Sequence, residues 1–277
     1  MLVMFAISYS VKSVPKKACN RVRMNNTWYE REIILTNIGR PYNLNVHKSS
    51  NTLFFSYSLP DTYSDVDFQL AYIDLDTRES EIIAGIRGGC TVAIDQGNDE
   101  IYLGGSDGIY KYNMLTKLAD NYKEKGRNIW SLYFRANLFY ISYPDQKLYI
   151  DVDGKFIRVS EFEHFEVDNF HVMPNNDIYF ANKSGLYFFD NLKLTIETVN
   201  ELVTVRQIVE DNDGRLYVCT NFGILLRGGN EFTKVLDLKG IYGLAFDKDN
   251  NFIMSDEKNI VKLVHSDGGC VSDNISW

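Results

Sequence analysis

The sequence is poor in proline, histidine and cysteine, and it has neither a basic block nor a long apolar run. Four cysteines, Cys19, Cys90, Cys219 and Cys270, show no C-x-x-C spacing, which excludes a zinc ribbon or a thioredoxin-like motif. The four histidines, His47, His164, His171 and His265, have no i, i+2 or i, i+4 pairing, so no local metal motif is present. Beyond the first residues no stretch reaches the ~18 apolar residues of a membrane-spanning helix. The net charge of -8 comes without any Lys/Arg-rich cluster, and phosphate binding needs a clustered positive field. Neither nucleic acid nor a membrane is therefore expected as a partner.

Aromatic residues are abundant instead. They make up 14% of 277 residues, against only 5 prolines, a balance that suits β-structure and disfavours disorder. The stretch Arg87 to Asn113 gives the pattern. Val92 to Asp95 is a short apolar run, Gln96 to Glu100 a polar turn, and Ile101 to Leu103 a second run. Gly104 to Gly108 turns the chain again, and Ile109 to Tyr112 alternates as a strand with one buried face should. Similar units recur along the chain. Their innermost strands are Tyr42 to Val46, Cys90 to Ile94, Trp130 to Phe134, Asp168 to Val172, Arg206 to Glu210 and Tyr242 to Phe246, with first residues spaced by 48, 40, 38, 38 and 36. Four antiparallel strands repeated near forty residues predict an all-β, six-bladed β-propeller.

The sixth unit ends after Asn259 to Val264 without a fourth strand, while Trp28 to Thr36 is a strand left over at the other end. Donating it to the last blade would close the ring and remove unpaired edges. Cys19 and Cys270 would then project past the same edge, where a disulfide would contribute roughly 4 to 5 kcal/mol in the chain-entropy model. The alternative is a pair of free thiols in a reducing compartment. Residues 1–18 carry the apolar run Leu2 to Tyr9 followed by small residues, and are expected to be a degenerate secretory leader ahead of a single propeller domain, 19–277. Sequons at Asn25, Asn182 and Asn274 would be usable in a secreted monomer, although such triplets also arise by chance.

Gly104 to Gly108 matches the G-x-S-x-G nucleophile elbow, but a β-run follows where that motif needs a helix. Glu210 to Gly214 and Asp247 to Asn250 resemble calcium loops only faintly, without the twelve-residue spacing and closing Glu. More informative is the column formed by the first residues of the inner strands: Tyr42, Cys90, Trp130, Asp168, Arg206 and Tyr242. At a channel mouth, Tyr42, Trp130 and Tyr242 would stack on a flat ligand, Arg206 would pair with its carboxylate, and Asp168 with its ammonium. The same residues would equally well fill the channel and pair with one another.

Gly39 to Leu44 (GRPYNL), Asn51 to Leu59 (NTLFFSYSL) and Ile101 to Asn113 (IYLGGSDGIYKYN) resemble the ommochrome-binding proteins of lepidopteran blood, a similarity running from about Cys19 to the C-terminus. The resemblance implies a secreted carrier of tryptophan-derived phenoxazinone pigments in hemolymph, with binding rather than turnover as its activity and no cofactor. Two other classes stand beside it. A lactonase or gluconolactonase-like propeller activates water with a channel metal held by Glu, Asn and Asp. Asp168 and Asn169 would suit that role, but Arg40-Pro41-Tyr42 stands where that family places an acid, and Arg206 adds a positive charge. A protein-docking propeller would instead need an exposed apolar patch.

Overall fold

The computed structural model describes residues 20–58, 68–229 and 231–267. Six antiparallel sheets form the ring of a β-propeller, five with four strands and the last with five. Their inner strands are Arg40–His47, Thr91–Asp95, Ile129–Arg135, Asn169–Val172, Val205–Glu210 and Gly243–Phe246, and we number the blades in that order. Among the described residues no helix is long and apolar enough to cross a membrane.

Alternation along each strand explains why the strands read as almost continuously hydrophobic. Leu53, Phe55 and Tyr57 pack toward blade six, whereas Phe54 between them packs toward blade two. In blade five Leu216 and Val218 face blade four, and Tyr217 and Cys219 face blade six. Successive side chains of a strand point to opposite sheet faces, and in a propeller both faces are covered by neighbours. The core is accordingly six apolar layers, one between each pair of adjacent blades.

The leftover N-terminal strand closes the ring as the sequence predicts. Thr27–Thr36 pairs antiparallel with Asn259–Ser266, Trp28 opposite Ser266 and Thr36 opposite Asn259. The sequence pattern missed a further strand, Arg21–Met24, which folds back on Thr27–Thr36 through the left-handed turn Asn25-Asn26. Its Val22 and Met24 are buried against Leu236 and Leu238 of blade five, so the added hairpin spans the joint between blades five and six. The outer strand of blade one is short, Ser80–Ile82. The chain turns away at Gly85, whose φ is +86°.

At every joint of the ring, a side chain on one blade bonds to the backbone of the next. Asn43 Nδ2 donates to Cys90 O at 2.6 Å, Leu132 N donates to Thr91 Oγ1 at 2.9 Å, and Trp130 Nε1 donates to Asp168 O at 3.1 Å. Asn169 Nδ2 donates to Val205 O at 3.5 Å, Leu244 N to Gln207 Oε1 at 3.0 Å, and Ser255 Oγ to Pro41 O at 3.0 Å. Gln207 also reaches across the closure, its Nε2 donating to Leu44 O at 2.8 Å. Blades six and one approach so closely that a Cβ on Gly243 would lie 2.4 Å from Leu44 Cδ1.

The motifs that mimic catalytic and calcium sites are turns. Ser106 lies in the hairpin between Glu100–Gly105 and Gly108–Asn113, where its Oγ donates to Arg87 O. Asp211 accepts the backbone N–H groups of Asp213 and Arg215, and Asp247 those of Asp249 and Asn251. Both carboxylates are consumed by ion pairs, Asp211 with Arg215 at 2.7 Å and Asp247 with Lys262 at 2.6 Å. Cys90 and Cys219 are free, buried thiols. Cys19, Cys270, Asn274 and the leader lie outside the described residues.

Candidate functional site

Because neighbouring strands run antiparallel, the starts of the inner strands share one end of the channel with the joints between second and third strands. There a cavity of about 520 Å³ opens. Tyr42, Cys90, Trp130, Asp168 and Arg206 all line it, while Tyr242 stands outside the wall. The Tyr242 ring is edge-on to Tyr42 at 5.7 Å and lies beneath two guanidinium groups, Arg40 at 4.6 Å and Arg206 at 5.3 Å. Its hydroxyl donates to Glu257 at 3.3 Å.

Bulges aim two of these side chains. Ile129 pairs with Ser142 and Ser131 with Ile141, which leaves Trp130 as an extra residue; Val205 pairs with Thr220 and Gln207 with Cys219, which leaves Arg206 extra. A residue inserted into a ladder in this way bends the strand and redirects its side chain. Blade one has a third bulge between Tyr42 and Asn45, with Asn43 at φ +49°. Blades two, four and six have no such insertion in their innermost ladders.

Among the wall residues not anticipated from sequence are Phe68, Tyr143, Gln146 and Lys183. Tyr143 stacks on Trp130 with centroids 5.6 Å apart and planes at 26°, and Phe68 meets Tyr42 edge-on at 5.7 Å. Tyr143, Gln146 and Lys183 belong to joints between second and third strands. Counting strand directions would have brought those joints to this mouth. Aromatic walls thus come from blades one and three, and charge from blades four and five. Burial pushes the Asp168 carboxyl above its ordinary range, although Lys183 draws it down and the Gln146 amide donates to it. Cys90 is no nucleophile here, since burial pushes its thiol up to about 12 and its Sγ donates to Ile129 O at 2.8 Å. Arg206 and Lys183 have no acidic partner among the described residues. With one carboxylate and two cations, the wall does not fit a divalent cation, which takes several anionic or carbonyl oxygens.

The opposite mouth holds a cavity of about 540 Å³ with a cluster of paired charges in its wall. Arg135 of blade three donates to Glu210 of blade five, and His171 of blade four lies 3.3 Å from the same carboxylate. Burial lowers the His171 pKa, and the His171 hydrogen bond leads the effects that hold Glu210 below the usual carboxylate range. Burial pushes the hydroxyl of neighbouring Tyr133 up to about 12.

No family model matches the chain. An ommochrome-binding protein from Manduca sexta is 32% identical over 253 residues, covering 89% of this chain and 91% of that protein. The chain belongs to the ommochrome-binding protein family. Among solved structures, this ommochrome-binding family member is similar to a gluconolactonase from Xanthomonas campestris, at 9% identity and a TM-score of 0.67 over 88% of this chain and 91% of the other. It is also similar to regucalcin, a calcium-binding protein from Agrobacterium tumefaciens, at 11% identity and a TM-score of 0.65 over 87% and 95% of the two chains. Identities this low establish the shared propeller, on which unrelated activities are built.

Of the sequons, Asn25 is exposed in its turn, whereas Asn182 is half-buried on the cavity wall with Nδ2 donating to Glu166 O at 3.3 Å.

Proposed function

We propose that the protein binds an ommochrome-type pigment in the 520 Å³ cavity at the Trp130 mouth, as a carrier and not as a hydrolase. The carrying observation is a guanidinium without an acidic partner among the described residues, Arg206, held by Tyr242 beside a cavity whose other wall is aromatic. A flat acidic ring system answers both features. Trp130 with Tyr143, and Tyr42 with Phe68, offer ring faces and edges. Arg206 takes a carboxylate, and Asp168 takes an ammonium. Tyr242 holds the Arg206 guanidinium from behind instead of stacking on the ligand. A buried aromatic contact supplies ~0.5 to 1.5 kcal/mol beyond area burial and a charge-assisted hydrogen bond ~1.5 to 3, which together support micromolar binding after association costs.

Titration with xanthommatin, followed by absorption, tests this directly. Saturable binding by the intact protein is expected, with Trp130→Ala weakening every pigment and Arg206→Ala weakening acidic pigments more than neutral analogues. Failure of the intact protein to bind would end the carrier reading. Lactone hydrolysis that depends on added divalent ions and is lost in Asp168→Ala would replace it with the enzyme reading. Export of a monomer into hemolymph belongs to the same proposal, supported by the apolar run Leu2 to Tyr9 and the exposed Asn25 sequon. Recovery of the protein only from inside cells would contradict it.

A further inference from the structure

Building on that carrier reading, we infer that the cavity selects aromatic ligands with two separated anionic groups, one taken by Arg206 and the other by Lys183. The ionised side chains of the described wall are Asp168, Lys183 and Arg206, which give the described wall one excess positive charge. A ligand with a single amino-acid group brings one carboxylate and one ammonium. It pairs with Arg206 and Asp168 and leaves Lys183 without a counter-charge. A second acid on the ring system removes that excess.

Lys183 is placed for this role. It lies in the joint between Ile178–Asn182 and Gly185–Asp190, on the blade next to that of Arg206. Its ammonium enters none of the ion pairs found among the described residues, yet it is near enough to act on the Asp168 carboxyl. Arg206 and Lys183 approach the cavity from different elements, an inner strand and an outer joint. Each cation is therefore assigned an anionic group of its own on the ring system. Lys183 thus discriminates among ligands that Trp130 and Arg206 already accept.

The test compares xanthommatin with its ring-decarboxylated form, in the intact protein and in Lys183→Gln and Arg206→Gln. The intact protein should bind the dicarboxylate about threefold to fivefold more tightly, the size of an exposed ion pair. That ratio should shrink as salt rises from about 0.05 to 0.5 M. Lys183→Gln should bring the ratio close to one by weakening the dicarboxylate more than the decarboxylated pigment, and Arg206→Gln should weaken both pigments. An undiminished ratio in Lys183→Gln, or equal weakening of both pigments by it, overturns the assignment of Lys183. Equal binding of both pigments by the intact protein overturns the selectivity and leaves the carrier reading standing. Binding of neither overturns both.

Discussion

The two mouths of the channel have similar volumes and differ in how their charged clusters are paired. At one, Arg135, His171 and Glu210 neutralise each other across blades three, four and five. At the other, Arg206 and Lys183 face the cavity without an acidic partner among the described residues, and Asp168 is held by a neutral amide. Charge that is paired within the protein serves the ring, whereas charge left unpaired beside an aromatic wall is available to a ligand. Substitutions at the first mouth should therefore change stability, and those at the second should change binding.

The largest expected effect tests the paired mouth. Glu210→Ala strips the partner from Arg135 and His171 and should cost roughly 2 to 3 kcal/mol. At about 2 to 4 °C per kcal/mol for a chain of this size, thermal unfolding should show it clearly, with pigment affinity within about twofold of the parent. Loss of binding without loss of stability would erase the contrast between the mouths.

Trp130→Ala comes next, because it removes a stacking surface for the ligand as well as the bonds to Tyr143 and Asp168 O. Pigment affinity should fall about tenfold or more, roughly 1.5 kcal/mol or above. Arg206→Ala should cost an acidic pigment about fivefold to tenfold while moving stability by no more than about 0.5 kcal/mol, as expected of an exposed side chain. Calorimetric titration beside a melting curve checks both variants. A drop in melting temperature for Arg206→Ala matching that of Glu210→Ala would show that its charge is structural after all.

The smallest effect is the pH dependence of the paired mouth. Burial lowers the His171 pKa, so the unfolded chain takes up its proton first. The associated stability is fully present above the ordinary histidine value of about 6.5 and is lost as pH falls through the lowered one. Glu210 is also lowered, and its contribution disappears only in the more acidic range below about 4.3. Melting temperature followed from pH 7 to pH 5 should therefore decline, and His171→Gln should flatten that decline. An unchanged slope would remove His171 from the account.

The ring was legible in the sequence because each hairpin announces itself through Asn, Asp and Gly, and because one strand was missing at one end and spare at the other. The starting column was legible for the same reason, and it leads to Tyr42, Cys90, Trp130, Asp168 and Arg206 around one cavity. The bulges were not, since an inserted residue such as Trp130 differs from a paired one only in three dimensions. Arg21–Met24 escaped because four residues carry too little periodicity. The charged cluster of the second mouth was within reach. Arg135, His171 and Glu210 lie at or near the ends of inner strands, in the column complementary to the one read from their starts.

The joints between blades have a consequence for how such a sequence can drift. Each joint includes a bond from one side chain to a backbone amide or carbonyl, as Asn43 makes with Cys90 O and Ser255 with Pro41 O. The backbone group is present whatever residue carries it, so each contact constrains one position and not a matched pair. At these bonds a mutation that changes the residue carrying the backbone group needs no compensating mutation on the neighbouring blade. Such bonds hold the blades of a propeller together with little demand on the identity of the residue that supplies the backbone group.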